Sequence, residues 1–334
     1  MTTSMDPFRA FRIHSEDGRN VEARLETVEL EDLSAGDVVI HGAYSSINYK
    51  DALAATGKGR ILRKFPLVGG VDIAGTVVSS ADARFSTGDQ VVVTGSGLSE
   101  TRDGGFAEYA RVEGESVTRL PDGLSPRDAM GIGTAGFTAA LAVHRMEHNG
   151  QQPEQGPIAV NGATGGVGSM AVDMLSGRGY EVHALTSKTT ADDYLHNLGA
   201  AEILNLKALE LGSRPLEKAI WAGAIDNLGG EILGWFTRTT KPGGNIASIG
   251  LAAGIELSTT VMPFILRGVN LLGINSVEIT RSERLEVWAR IASDLRPAHL
   301  AQIAHREVSL DELPDSFEDY IAGAVTGRTI VCLD

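Results

Sequence analysis

A glycine-rich turn near residue 165 sets the strongest limit on the architecture of this chain. It reads Gly162-Ala163-Thr164-Gly165-Gly166-Val167-Gly168 and lies between a short apolar strand at residues 158–160 and a helical segment. Glycines at this spacing allow a tight turn, and they let backbone N–H groups approach a diphosphate at the positive end of the following helix. A glycine triplet alone is also compatible with a purely structural turn. Because a strand precedes it and a helix follows it, the sequence predicts a dinucleotide-binding site.

Two kinds of sequence flank this turn. The first third of the 334 residues contains short β-branched runs at 38–40, 76–78 and 90–94, which is typical of a barrel or sandwich. Residues 124–148 have helical composition, and strands then alternate with helices, which predicts a parallel doubly wound α/β sheet. The length favours two domains, with boundaries near residues 125 and 270. A further helix is predicted at 285–295 and a final strand at 328–333.

Charge and cysteine content disfavour several classes of protein. The net charge is −14 and the isoelectric point is about 5.0, so nucleic acid and anionic membranes are unfavourable partners. The single cysteine, Cys332, excludes a disulfide framework and fits a reducing compartment. Residues 1–10 lack the apolar segment of a signal peptide, and no run approaches the roughly 20 apolar residues of a membrane span. We therefore expect a cytoplasmic protein that acts on a small molecule.

The residues after the second strand of the α/β region indicate which nicotinamide cofactor is bound. NAD enzymes place an acidic residue about twenty positions beyond the glycines, where it holds the ribose hydroxyls. Here that position is Lys188, preceded by Thr186 and Ser187. A cation and two hydroxyls suit a 2′-phosphate, since each hydrogen bond to a charged group contributes about 1.5–3 kcal/mol. The pattern favours NADP(H), while Thr189 and Asp192 also form a capping box that predicts a helix start.

No metal site with the usual ligand spacing is apparent. Zinc requires clustered thiolates, imidazoles or carboxylates, and the one cysteine and eight scattered histidines do not provide such a cluster. His144 and His148 stand at i and i+4, but an exposed helix face is the favoured interpretation. With a nicotinamide site and neither a metal nor a reactive thiol, direct hydride transfer is the chemistry that remains.

Longer motifs resemble those of one known family. Segments 45–53, 56–59, 133–139, 214–218, 221–226 and 260–267 resemble the signature of the zinc-free YhdH/acrylyl-CoA reductase family of medium-chain dehydrogenases/reductases. The resemblance extends from about Phe11 to Val331. It implies a GroES-like substrate domain formed by residues 1–125 and 271–334, a Rossmann cofactor domain at 126–270, and a homodimer. Members of this family are often labelled quinone oxidoreductases.

The resemblance also implies an activity and a set of site residues. The activity is the NADPH-dependent reduction of acryloyl-CoA to propanoyl-CoA without zinc. Zinc alcohol dehydrogenases carry a cysteine where this chain has Asn48 and a histidine where it has Val71, so both ligand side chains are absent. Many relatives have the sequence Ser-Gly-Arg where this chain has Thr186-Ser187-Lys188, so a lysine replaces an arginine at position 188. The family's cofactor contacts correspond to Tyr49, Thr164, Gly165, Gly166, Val167, Thr186, Ser187, Lys188, Arg214, Leu251, Ile265 and Ser276.

For catalysis, we expect hydride transfer to the β-carbon of an unsaturated thioester and protonation of its α-carbon. The enolate oxygen formed in this way needs hydrogen-bond donors. Tyr49 is the candidate donor, or else a residue that only packs against the nicotinamide; Asn48 is the candidate for orienting the substrate. Asp51 is expected to cap a helix. The alternatives are reduction of quinones or general enones on the same scaffold, and a non-catalytic NADPH-binding structural or sensor protein.

A short basic segment stands out against the acidic background. Residues 58–64 hold four cations and no acid. Coenzyme A carries a 3′-phosphate and a diphosphate, which need a local positive field in a chain of this net charge. We therefore expect Arg60, Arg63 and Lys64 to bind the substrate, joined by Arg328 if the tail packs beside this domain. The alternative is a solvated basic loop.

Overall fold

The structure is a computed structural model that describes residues 5–333. The chain forms two compact units. Unit 1 contains residues 5–134, 277–285 and 300–333, and unit 2 contains residues 135–276 and 286–299. The sequence placed the boundaries near 125 and 270 and assigned the whole tail to the first domain. The unit boundaries differ because one long helix, Pro126–His148, contributes to both units, and because Trp288 packs on Phe137 within unit 2, with ring centroids 5.8 Å apart.

Unit 1 is rich in short, mostly antiparallel strands. In chain order they are β1 (Phe8–His14), β2 (Glu22–Val28), β3 (Val38–Ile47), β4 (Leu67–Val68), β5 (Asp72–Ser80), β6 (Gln90–Thr94), β7 (Tyr109–Val112), β8 (Thr118–Arg119), β15 (Arg306–Ser309) and β16 (Thr329–Cys332). One sheet has the order β2-β1-β4, and the larger sheet has the order β15-β16-β3-β5-β6-β8, with β7 paired to β3. The last strand, β16, therefore pairs antiparallel with β3 from the beginning of the chain.

Unit 1 also contains α-helical segments. They are α1 (Tyr49–Ala55), the start of α2 (Pro126–His148), the start of α7 (Arg281–Ile291), α8 (Leu300–Ile303) and α9 (Leu313–Ile321). α1 packs against α9. The apolar core includes the rings of Phe11, Phe106 and Phe317, whose centroids lie 5.7–6.5 Å apart. A single residue, Asn48, separates the end of β3 from the start of α1.

Unit 2 is a doubly wound sheet, as the sequence predicts. Its parallel strands are β9 (Ile158–Asn161), β10 (Val182–Thr186), β11 (Glu202–Asn205), β12 (Trp221–Asp226), β13 (Thr240–Ser248) and β14 (Asn270–Gly273), in the order β11-β10-β9-β12-β13-β14. This is the Rossmann order, and every residue of β9, β10 and β12 is buried, as expected for strands covered on both faces. The connecting helices are α3 (Gly166–Gly177), α4 (Asp192–Asn197), α5 (Gly230–Thr239) and α6 (Met262–Arg267).

Two local predictions need correction. The helix predicted at 285–295 is α7, which spans Arg281–Ile291. The missed signal is an N-cap: the hydroxyl of Thr280, the residue before the helix, accepts the Glu283 N–H at 3.3 Å. The expected helix start at Thr189 is also wrong: α4 begins at Asp192 with Ala191 at its N-cap. Among residues 5–333, no helix combines the length and the apolar composition that crossing a membrane requires.

Candidate active site

The N-terminus of α1 organises a buried polar cluster in unit 1. Asn48 is the N-cap of the helix and has extended backbone angles. Its N–H donates to Asp51 Oδ2 at 2.8 Å, so Asp51 caps the helix as expected. The other oxygen of Asp51 accepts the Val71 N–H at 3.0 Å. Asn48 and Val71, the two positions predicted from the resemblance to correspond to lost zinc ligands, are therefore joined through one carboxyl group.

The amide of Asn48 is fixed by charged groups on both sides. Its Nδ2 donates to Asp72 Oδ2 at 2.7 Å, and its Oδ1 accepts from Arg328 Nη1 at 3.0 Å. A longer contact of 3.3 Å joins Nδ2 to Asp51. Hydrogen bonds to charged partners are stronger than neutral ones. The Asn48 side chain is therefore held in one orientation.

Arg328 and Asp72 form a buried ion pair, with Nη2 and Oδ2 3.7 Å apart and side chains that are 2% and 0% exposed. Asp72 also accepts hydrogen bonds from Ser46 Oγ at 2.6 Å and from Thr134, through its N–H and its hydroxyl. Arg328 donates further bonds to Ser46 Oγ and to the Ile47 carbonyl. Such extra partners offset the desolvation of a buried pair.

Asp51 lies in the same buried cluster, and among residues 5–333 it has no ion-pair partner. Burial first, and then the negative charge of Asp72, raise the pKa of Asp51 to about 7. The guanidinium of Arg328 pairs with Asp72 and not with Asp51, so Asp51 is the carboxyl group that retains a proton near neutral pH. The cluster thus contains a carboxylic acid that is protonated below about pH 7.

Gly133 allows these groups to approach each other. It interrupts α2 with φ 52° and ψ −163°. A Cβ atom at this position would lie 2.3 Å from Arg328 Nη2 and 2.8 Å from Asp72 Oδ2. Only glycine fits here, because it tolerates this backbone conformation and leaves room for the ion pair.

Tyr49, the first residue of α1, stands outside the buried cluster. Its side chain is exposed, and within residues 5–333 its hydroxyl has no hydrogen-bond partner. Asn48 and Tyr49 are adjacent in sequence, but the amide is satisfied internally whereas the phenol is available to a ligand.

The basic residues predicted to bind substrate lie in two different environments, one exposed and one buried. Arg60, Arg63 and Lys64 are exposed, and within residues 5–333 their side chains make no ion pair. Arg328 was grouped with them by the sequence analysis, but its side chain is buried in the cluster with Asp72 and Asn48. The reason is the pairing of β16 with β3, which carries the residue before β16 into the interior.

The glycine-rich turn of unit 2 has the geometry that a diphosphate site requires. β9 ends at Asn161, Gly162 has φ 57°, and α3 begins after the N-cap Gly165. A Cβ atom on Gly168 would lie 2.2 Å from the Gly162 carbonyl oxygen, so the helix and the turn are in close contact. The predicted contacts Thr164, Gly165, Gly166 and Val167 occupy this turn and the first residues of α3. Free N–H groups at a helix N-terminus of this kind fit a dinucleotide diphosphate.

The residues predicted for the 2′-phosphate follow β10. Thr186 is buried at the end of the strand, and its hydroxyl accepts the Lys188 N–H at 3.1 Å. Ser187 is exposed and Lys188 is partly buried. Burial lowers the pKa of Lys188, as it does for any cation removed from water. The turn after β10 therefore carries the hydroxyl group of Ser187 and the ammonium group of Lys188.

The four remaining predicted cofactor contacts do not form one hydrogen-bonded group. Arg214 pairs with Glu217 at 3.0 Å, and Ser276 Oγ accepts from Thr138 Oγ1 at 2.8 Å. Leu251 and Ile265 expose 64% and 71% of their surface. All four belong to unit 2.

Among residues 5–333, no three His, Cys, Asp or Glu side chains are grouped so that they could hold a metal ion. His144 and His148 stack along α2 with ring centroids 6.5 Å apart, and His144 Nδ1 lies 3.5 Å from Arg290 Nη1. Sequence reasoning missed Asp72, Ser46, Thr134 and Gly133 as members of the polar cluster.

Comparison with known proteins agrees with this architecture. Residues 34–122 match the alcohol dehydrogenase GroES-like domain, and residues 166–293 match the family described as zinc-binding dehydrogenase. The chain is 49% identical to a Bacillus subtilis protein named as a quinone oxidoreductase, YhfP, over 94% of this chain and 96% of that protein. It is 44% identical to the acrylyl-CoA reductase AcuI of Ruegeria pomeroyi, over 95% of this chain and 96% of that protein.

The chain belongs to the YhdH/acrylyl-CoA reductase family of the medium-chain dehydrogenases/reductases. Solved structures of this family superimpose closely on it. The yhdH oxidoreductase of Salmonella enterica, in complex with NADP, is 46% identical with a TM-score of 0.94, covering 98% of this chain and all of that one. The B. subtilis yhfP protein, with NAD bound, is 47% identical with a TM-score of 0.95 and the same coverage. The predicted family and fold are thus confirmed.

Proposed function

We propose that this protein reduces an activated carbon–carbon double bond with NADPH, and that its substrate is acryloyl-CoA, which becomes propanoyl-CoA. The observation that carries the proposal is the likeness to an acrylyl-CoA reductase along almost the entire chain. The buried polar cluster supports it, because Asn48, whose amide is held by Asp72 and Arg328, directly precedes the exposed Tyr49 at the start of α1.

NADP(H) is the proposed cofactor. The turn at residues 162–168 fits the diphosphate because its glycines permit the close approach described above. Thr186, Ser187 and Lys188 are proposed to hold the 2′-phosphate, with Arg214, Leu251, Ile265 and Ser276 as further contacts. A relative is known with NAD bound, but the ammonium group of Lys188 stands where an NAD enzyme needs a carboxylate. When bound, NADPH supplies the hydride that reduces the double bond.

Tyr49 and Asn48 are proposed to have different roles. Tyr49 donates its O–H to the thioester oxygen as negative charge develops there, which stabilises the enolate. The Asn48 amide already uses both of its polar atoms on Asp72 and Arg328. Asn48 therefore acts as a positioning residue that fixes the first turn of α1, and with it Tyr49. The α-carbon takes its proton from water or from a positioned acid.

Steady-state kinetics with the purified full-length protein tests the proposal. NADPH oxidation is measured with acryloyl-CoA, a benzoquinone and a small enone, and the acyl product is identified by mass spectrometry. We expect acryloyl-CoA to have a kcat/KM at least about tenfold above the other two substrates, with propanoyl-CoA as the product. Absence of NADPH oxidation with acryloyl-CoA would contradict the proposal.

The second candidate activity is reduction of quinones or general enones. It is favoured by one observation, the name of the B. subtilis relative that is 49% identical. The same kinetic comparison separates the two candidates, because a quinone reductase would have its highest kcat/KM with the quinone and would not depend on the coenzyme A group.

A homodimer in the cytoplasm is proposed as the working state. Support for the dimer comes from β14, which ends the sheet of unit 2 and leaves one strand edge without a partner strand in residues 5–333. Val261, Leu266 and Leu271 are exposed apolar side chains on β14 and the segment before it. The single cysteine supports a reducing compartment. Light scattering after gel filtration tests the dimer, and Leu266→Asp should shift it to a monomer. Cell fractionation tests the location.

A further inference from the structure

Unit 1 contains a cavity of about 500 Å³ that the polar cluster does not use. It lies between the turn that joins β1 to β2, at residues 18–21, and the loop that follows α1, at residues 57–65. One wall is apolar, with Val21, Ile61 and Phe65 among its members. The cavity is also lined by Arg19, Arg60 and Arg63.

These three arginines have no counter-ion in the part of the chain that the structure describes. Within residues 5–333, none of their guanidinium groups makes a hydrogen bond or an ion pair. The nearby carboxylate of Asp17 is occupied by the N–H groups of Arg19 and Asn20, at 2.8 Å each. The carboxylate of Glu100, a residue whose carbonyl accepts the Arg63 N–H, binds Lys50 instead. Three cations around one cavity in a chain of net charge −14 form a local positive field that suits an anion.

The apolar wall indicates that the anion also carries an apolar or aromatic group. Free phosphate or sulfate would need the guanidinium groups but not Val21, Ile61 and Phe65. A purine that carries phosphates uses both features, because the base packs on apolar or aromatic side chains and each phosphate accepts paired N–H groups from arginine. The nucleotide end of coenzyme A has this composition, with an adenine, a 3′-phosphate and a diphosphate.

We propose that this cavity binds the 3′-phosphoadenosine diphosphate end of the acyl-CoA substrate, and that Arg19 is a phosphate ligand together with Arg60 and Arg63. The inference rests on the proposed function and extends it to a residue outside the basic segment. Lys64 does not line the cavity, so its contribution is limited to the surrounding field.

The position of the cavity relative to the polar cluster agrees with this assignment. Ala54, near the C-terminal end of α1, lines the cavity, whereas Asn48 and Tyr49 stand at the N-terminal end of the same helix. Six residues of α-helix rise about 9 Å. The pantetheine arm joins the nucleotide to the thioester, so it would run along α1 and deliver the thioester to Tyr49.

Direct binding tests the inference without relying on turnover. Isothermal titration calorimetry is carried out with coenzyme A and with adenosine 3′,5′-bisphosphate on the full-length protein saturated with NADP⁺, so that the cofactor site is filled. Arg19→Ala should weaken both ligands about tenfold, since a charge-assisted hydrogen bond is lost. Arg19→Lys should recover part of the loss, because the charge remains but the paired N–H geometry does not.

Lys58→Ala is the matched control. It removes one positive charge from the same loop, but Lys58 pairs with Glu318 at 3.0 Å and does not line the cavity. We expect its affinity for coenzyme A to change less than about twofold. The assignment would be overturned if Arg19→Ala and Lys58→Ala lost the same amount of affinity for coenzyme A, or if Arg19→Ala lost none. Circular dichroism and NADP⁺ affinity confirm that each variant is folded.

The two proposals can fail separately. If the protein reduces acryloyl-CoA but Arg19→Ala binds coenzyme A normally, the cavity assignment is wrong and the reductase proposal stands. If Arg19→Ala loses affinity for adenosine 3′,5′-bisphosphate while the wild-type protein reduces no enoyl thioester, the nucleotide site stands and the proposed reaction is wrong. Measurements at low and high salt add a further check, because affinity carried by exposed arginines falls as ionic strength rises.

Discussion

Substituting Gly133 by alanine should break the buried cluster at the point where its members are closest. The residue has φ 52°, inside the left-handed region, in a break of α2. The added methyl group would lie 2.3 Å from Arg328 Nη2, 2.7 Å from Ser46 Oγ and 2.8 Å from Asp72 Oδ2. All three distances are shorter than any ordinary contact of a carbon atom, so Arg328 must move away from Asp72.

The size of the effect follows from two contributions. A non-glycine residue in this backbone conformation costs about 1–3 kcal/mol. Separating a buried ion pair costs about 3–5 kcal/mol, because each charge is left without its partner. Together these approach the whole unfolding free energy of an ordinary domain, about 5–15 kcal/mol. We therefore expect Gly133→Ala to lower the urea midpoint of unit 1 strongly and to abolish reduction of acryloyl-CoA.

Gly88→Ala is the control for the backbone contribution. Gly88 also belongs to unit 1 and has φ 94°, but a Cβ atom there meets nothing within 4 Å. Gly88→Ala should lower the free energy of unfolding by only about 1–2 kcal/mol. Urea unfolding, followed by circular dichroism at constant m-value, compares the two variants. If the free energy of unfolding falls no further in Gly133→Ala than in Gly88→Ala, the stability of the cluster does not depend on the close approach at Gly133. That result would refute the reasoning.

Other predictions concern the cofactor, the metal and pH. Lys188→Ala should weaken NADPH binding about tenfold or more and spare NADH, as measured by fluorescence titration; equal losses for both cofactors would contradict the 2′-phosphate assignment. Elemental analysis should find no stoichiometric zinc, and chelators should leave NADPH oxidation intact. Loss of activity with a chelator would contradict the interpretation of Asn48 and Val71 as lost zinc-ligand positions. The folded state keeps a proton on Asp51 up to about pH 7, while the unfolded chain releases it near pH 4, so this residue should lower the free energy of unfolding by up to about 4 kcal/mol as the pH rises through that window. Urea midpoints at both ends of the window should show a shallower pH dependence in Asp51→Asn, and an unchanged dependence would rule out Asp51 as its source.

The sequence reveals the cofactor unit better than the polar cluster, for a physical reason. The turn at 162–168 is a local motif, because the strand, the glycines and the helix that form the proposed diphosphate site are contiguous. The cluster is assembled from distant segments: Arg328 and Ser46 lie 282 positions apart and meet only because β16 pairs with β3. From composition and spacing, Arg328 resembles the other surface cations, and only the sheet topology shows that it is buried. Asp51 was predictable as a helix cap, but the rise in its pKa depends on Asp72, which no local pattern connects to it.

The charges of the cluster explain why its parts depend on each other. Arg328 carries one positive charge, and Asp72 alone balances it within hydrogen-bonding distance of Asn48 and Ser46. A second negative charge on Asp51 would be buried without a cation, which is why its pKa rises. Removal of Arg328 would leave the Asp72 carboxylate buried without its cation, which is strongly destabilising. The orientation of Asn48 therefore depends on both members of the buried ion pair, and the charge state of Asp51 depends on its burial and on the negative charge of Asp72.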